Sequence, residues 1–429
     1  YNSLGGNTTG ANNTGLGYEA LFANTTANNN TAVGYRALKV NTTGTNNVAV
    51  GSEALDANTT ADSNCAFGYQ SLTSMTTGTR NNGFGSHTLQ TCTTANDNSA
   101  FGSSALADCT TGHNNNAFGR QALRYLTTGN ENTAMGHDAG KNITTGDENV
   151  AIGNLTLDAC TTGTDNTALG SRALGALTTG SHNTGVGYNA APSLTTGDYC
   201  VAIGHQAMSN GVVTGDNNCA VGRNSLYSLT SGTGNTASGG SACLYSVTTG
   251  EYNTAVGSDA LQNVTTSHRN TAIGMEAGYS VTTGANNVFV GNRAGHGHVT
   301  TANDQLYIAR NDSAANNAAC WIYGNSAGSF YQGNNQNVWS TTSDRRLKKD
   351  IVENTDGLNL INQIKIKNFK YKQYVDGSPV SPDDAVNMSE FSESDEPTQV
   401  LIGQGKTDLQ LGIIAQELEE IVPDCVETS

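Results

Sequence analysis

The sequence predicts an all-β protein: a trimeric parallel β-solenoid of seventeen-residue coils, followed by a small α+β domain. Three observations carry this. A repeat of nearly constant length runs through most of the chain, each repeat places a β-branched tripeptide before one glycine, and composition changes abruptly in the C-terminal part.

Glycine recurs at 17, 34, 51 and onward in steps of seventeen to 204, then at 222, 239, 257, 274 and 291, which makes seventeen anchors with two single-residue insertions. One unit reads T-T-G-x-x-N-[T/V]-A-z-G-x-x-A-L-x-x-z, with z apolar, as from Thr42 to Leu55. Seventeen residues are too few for a helix pair, and the short T-A-z run bounded by Gly reads as a strand ending in a turn. A lone coil cannot bury its apolar side, so neighbours must stack at the ~4.8 Å spacing of β-strands. The array from 1 to 299 then forms a rod roughly 80 Å long.

Each coil position has its own expected role. Four residues before the anchor stands Asn in sixteen coils (Asn13, Asn30, Asn47, Asn64, Asn81, Asn98 and onward to Asn287), with Cys200 in the other. Stacked amides can bond to the rungs above and below, which makes this row a structural ladder. The residue before the anchor is large and apolar (Val33, Phe67, Phe101, Ile152, Ile203, Val290) except at Ser238, and the one before that is Ala or Gly except at Phe289. Alternate strand residues face opposite sides. The expectation is that the large row fills the coil while the methyl-sized row admits the same face of partner chains, three of them closing around an axis. Cys92, Cys109 and Cys160, in an apolar slot filled elsewhere by Leu126, Ile143, Leu177 and Val264, and Cys65 and Cys219 in the strand read as small buried apolar residues. The Thr-Thr pairs read as turns held by hydroxyl-to-backbone bonds. Ice binding is disfavoured because adjacent threonines point to opposite faces.

The charge balance limits the partners. A net charge of −16, split as −8 over residues 1–342 and −8 over residues 343–429, offers no basic stripe for nucleic acid or an anionic membrane, and no apolar run approaches a membrane span. Nine cysteines without a CxxC argue against a closed disulfide framework or a thiolate zinc site. No phosphate loop, no HExxH and no recurring carboxylate pair appears, so neither a cofactor nor a metal is expected, and the shaft carries no glycosidase dyad. His296 and His298, at the end of the array, read as part of a fraying last coil.

The repeat core resembles that of trimeric autotransporter adhesin (YadA-like) heads over about residues 5–300. That resemblance implies a trimeric left-handed β-roll used as an extended surface shaft. Residues 300–342 (with DQLYIARNDS and WIYGNSAG) read as a β-structured cap and connector. Beyond them come TTSDRRLKKDI from Thr341, INQIKIKNFKYK from Ile361 and LGIIAQELEEIVPD from Leu411. The last has the spacing of a short amphipathic helix over Gly412 to Val422 ended by Pro423, expected to pack on the strand IKIKNFKYK. Acidic residues between 376 and 398 read as a solvated loop.

These three runs, in this order, resemble the C-terminal intramolecular chaperone of phage tail spikes and fibres, the endosialidase-type auto-peptidase, over residues 343–429. The resemblance implies self-cleavage of the Thr342–Ser343 bond, with Ser343 as nucleophile, Lys348 as base and Asp344 orienting a base or capping a turn. A lysine accepts a proton only when neutral, a state that burial and the positive neighbours Arg345, Arg346 and Lys349 favour. Family members usually continue into a long coiled coil, so the sequence from Tyr1 to Ser429 reads as a piece of a longer protein. The implied protein is a viral fibre on the virion surface, made in the host cytoplasm. Its partners would be two further copies, other virion or tail proteins and a host receptor or glycan. The alternatives are a cellular trimeric adhesin whose tail only caps the trimer, and an enzyme acting on host glycan.

Overall fold

The computed structural model describes residues 2–297, 299–309 and 320–332, together with four short strands between 367 and 412. The chain divides into two compact units, Tyr1–Trp339 and Ser340–Ser429. In the first, the parallel β-solenoid predicted by the repeat is present. Seventeen strands, from β1 (Thr14–Leu16) to β17 (Val288–Val290), pair in parallel, each with the next, and no helix occurs among the described residues. Register is one coil per step: Thr31 faces Val48, Ala32 faces Ala49 and Val33 faces Val50.

Backbone bonds between rungs continue around the corners. Thr42 N–H donates to Thr59 O at 2.9 Å, Glu53 N–H to Tyr35 O at 2.8 Å and Leu38 N–H to Ala54 O at 3.0 Å. Many corner amides therefore find their partner one rung away, while others close turns within the rung, as Asn41 N–H does on Leu38 O at 3.3 Å. The first threonine of each pair adds a hydroxyl bond, as from Thr42 Oγ1 to Thr59 O at 3.0 Å and from Thr110 Oγ1 to Thr127 O at 3.0 Å. The second threonine is exposed.

The interior combines alanine, leucine and amide. Where an Ala-Leu pair follows the anchor it is buried (Ala37 and Leu38, Ala54 and Leu55), although these leucines adopt left-handed φ near 50°. That conformation is costly for a branched side chain and persists because it places the isobutyl group inside the coil. The Asn row is buried beside them. Asn98 Oδ1 accepts from the backbone N–H of Asn115 at 2.9 Å and from its Nδ2 at 3.1 Å, while Asn98 Nδ2 donates to Gly112 O at 2.8 Å. The amides thus bond to backbone as well as to one another. A second amide row, Asn24, Asn41 and Asn58, occupies the slot that Met75, Cys92 and Cys109 fill further on. It ends with Asn58 Oδ1 buried and without a partner, directly below Met75.

At Cys200 the main ladder changes chemistry. Its backbone N–H still donates to Asn183 Oδ1 at 2.8 Å, but a thiol stands where the amide oxygen would meet Asn218. Burial pushes that thiol up to about 11. Cys200→Asn is therefore expected to raise the shaft's stability by about 1 kcal/mol, the worth of one restored bond, seen as a higher denaturation midpoint with unchanged m-value.

The parallel array closes on antiparallel strands. β18 (Leu306–Ala309) pairs in parallel with β17, then β19 (Cys320–Gly324) pairs antiparallel with β18 and β20 (Phe330–Gln332) with β19. Reversing direction covers the open edge of the stack with a hairpin, which a chain of identical rungs cannot do for itself.

Candidate interaction face and C-terminal segment

The strand alternation holds, but its two faces are the reverse of the sequence expectation. Ala32, Ala49, Ala66, Ala100 and Ala117 have no exposed surface and point into the coil. The large row points outward, with Phe101 36% exposed, Leu169 45% and Met135 48%. The coil's small cross-section decides this. The Leu of the Ala-Leu corner and the Asn amide already occupy it, so only a methyl group fits between them. The one large residue on the inner row, Phe289, is accommodated because its neighbours lose their leucines. Gly278 and Gly295 stand in the Leu position, and a Cβ on Gly278 would lie 2.7 Å from the Phe289 ring.

The outward face has two columns. One holds the large apolar residues. The other, two residues earlier, holds Thr, Val, Ser, Asn and Cys, and no Asp, Glu, Lys or Arg occurs in either between Thr14 and Val290. Within the apolar column Phe67, Phe84, Phe101 and Phe118 stack with centroids 4.9, 4.8 and 4.8 Å apart. Sixteen steps of ~4.8 Å and a width near 10 Å give about 800 Å² of charge-free surface. That matches the ~800 Å² each partner contributes to a stable interface. Cys65 and Cys219 lie half-buried on this face, contrary to the expectation of interior residues, whereas Cys92, Cys109 and Cys160 are buried as expected. The 0% exposure of Cys160 and Cys243 goes with thiols pushed up to about 11 and about 12 by desolvation.

The polar faces show structural use of their charged groups. Six residues before the anchor, side-chain acceptors bond the amide one rung below: Asp62 Oδ1 accepts from Thr45 N–H, Asp147 Oδ1 from Asn130 N–H and His113 Nδ1 from Asn96 N–H. An open depression of about 430 Å³ is lined by His113, Asn114, Asn130, Glu131, Asp147 and Glu148. Its inner side chains are engaged by backbone, and among the described residues no group of three or more metal-binding side chains occurs. Near the end of the array His296 lies 3.4 Å from Glu276 and stacks on Tyr279, while His298 is outside the described residues.

In the second unit, β21 (Lys367–Phe369) pairs antiparallel with β24 (Gln410–Gly412), with Asn368 opposite Leu411. Two of the three C-terminal runs are thereby brought side by side. A short hairpin, β22 (Tyr374–Val375) with β23 (Ser378–Pro379), lies between them in sequence. Gly412, expected to begin a helix, ends a strand, and the rest of that helix is outside the described residues. Thr342, Ser343, Asp344 and Lys348 are outside them as well.

No helix among the described residues is long and apolar enough to cross a membrane. No curated protein and no solved structure matches the chain. Residues 343–427 match the model of one family, the chaperone of endosialidase. A β-solenoid followed in sequence by a chaperone-of-endosialidase segment fits a tail-fibre or endosialidase-type protein.

Proposed function

We propose that this protein is the shaft of a viral or phage tail fibre that mediates host-surface attachment as a homotrimer, with residues 343–429 acting as an intramolecular chaperone that is cut away after assembly. The observation that carries the reading is the family match, which begins at Ser343, the residue assigned as nucleophile. Three chains packing through their charge-free faces would bury the apolar column without bringing their negative charge into contact.

Ser343 Oγ attacks the carbonyl carbon of Thr342 as Lys348 Nζ takes the hydroxyl proton. The peptide C–N bond breaks and the nitrogen is reprotonated, leaving an ester. Water hydrolyses that ester to a Thr342 carboxylate and a free Ser343 hydroxyl. Asp344 orients the base. Removing the chaperone after the rod has zipped leaves no path back through the assembly intermediate, so stability becomes kinetic.

Denaturing mass spectrometry of the expressed chain tests this. Wild type is expected to yield a fragment starting at Ser343, and Ser343→Ala and Lys348→Ala are each expected to remain whole. A whole wild-type chain that still forms trimers would favour a surface adhesin whose tail is only a cap.

A further inference from the structure

We infer that the outward apolar column sets the axial register between copies of this chain, with the phenylalanine block Phe67 to Phe118 and the polar gap at Ser238 as its keys. This presupposes the side-by-side assembly proposed above and specifies how the copies align. A second copy is the fitting occupant because the face repeats along its whole length at the pitch of the solenoid. Only another surface with the same rise matches it rung for rung.

The inward residues cannot supply register, since they have no exposed surface and are closed off from any second copy. The outward column can, because its profile is uneven. Val33 and Val50 precede four consecutive stacked rings, Met135, Ile152 and Leu169 follow, and Ser238 lies alone between Val221 and Val256. The register irregularity between Val221 and Arg223 and the one-residue longer coil after Gly239 mark the same place. With copies parallel and level, rings meet rings and the Ser238 hydroxyls meet one another. A slip of one rung sets Phe67 against Val50, Phe118 against Met135, and each Ser238 hydroxyl against a valine. A hydroxyl covered without a partner then disfavours the slipped state by roughly tenfold per chain.

Cys65 and Cys219, on the outward face, report the alignment. The full-length chain is co-expressed with a Cys65→Ser/Val48→Cys or a Cys65→Ser/Asn82→Cys chain, treated with a short bis-maleimide and mapped by mass spectrometry, and its mass is taken by sedimentation. Links from Cys65 to Cys65 should exceed links to position 48 or 82 by at least about tenfold. In a chain with Phe67, Phe84, Phe101, Phe118 and Ser238 all changed to Val, the three links should become comparable while the assembly keeps its mass. An unchanged pattern in that variant would place register elsewhere and overturn the inference. Links between Cys65 and Cys219, on the fourth and thirteenth strands, would show antiparallel copies and overturn it too. Sedimentation as single chains would instead sink the assembly reading on which it depends.

Discussion

Gly136→Ala is expected to lower the stability of the shaft by about 3 kcal/mol, the upper range for a strained backbone residue. Gly136 holds φ at +141°, which L-residues rarely adopt, and an added Cβ would press on the carbonyl of Gly153 one rung on, 2.7 Å from its carbon. Both atoms belong to backbone already bonded between rungs, so neither can retreat without opening the ladder. The same contact recurs at each anchor, from Gly17 against Gly34 to Gly274 against Gly291, which is why glycine recurs with the period of the fold. Gly240 supplies the control. A Cβ there meets nothing within 4 Å, and Gly240→Ala is expected to leave the denaturation midpoint within experimental error. Equal losses at both positions would mean that the glycines serve chain flexibility and not the close approach of rungs.

The second large effect concerns the outward face. A chain carrying Val50→Asp, Phe101→Asp and Leu169→Asp is expected to sediment as a single chain while keeping its β-sheet circular dichroism, because these side chains lie on the outward strand face, opposite the buried alanines. In an assembled rod each substitution would bring like charges together on a desolvated surface, a cost no exposed monomer bears. Ala100→Asp, one residue away from Phe101, should do the opposite and unfold its coils, since Ala100 has no exposed surface and a carboxylate there has no partner. If the triple variant assembled normally, the copies would have to meet through another face.

Much of this molecule is legible in its amino-acid sequence. Period, strand position, stacked amides at Asn30 and Asn47 and the hydroxyl-bonded threonine turns all follow from residues that recur every seventeen positions, because a stack places each recurring residue on its own copy. The endosialidase-type tail was readable from three runs in order, and the pairing of Lys367–Phe369 with Gln410–Gly412 brings two of them together.

What the repeat could not tell was which strand face lies inside. Alternation separates Ala32 from Val33 but is symmetric between inside and outside, and size points the wrong way when the larger residue is taken to be the core. The tertiary structure decides, because the cross-section closed by one seventeen-residue turn is already filled by leucine and amide and has space only for a methyl group. Phe289 enters only where Gly278 and Gly295 make room. The period and its ladders follow from the order of residues, since those depend on contacts between equivalent residues. The closed coil alone determined the interior and, with it, the surface left for another chain.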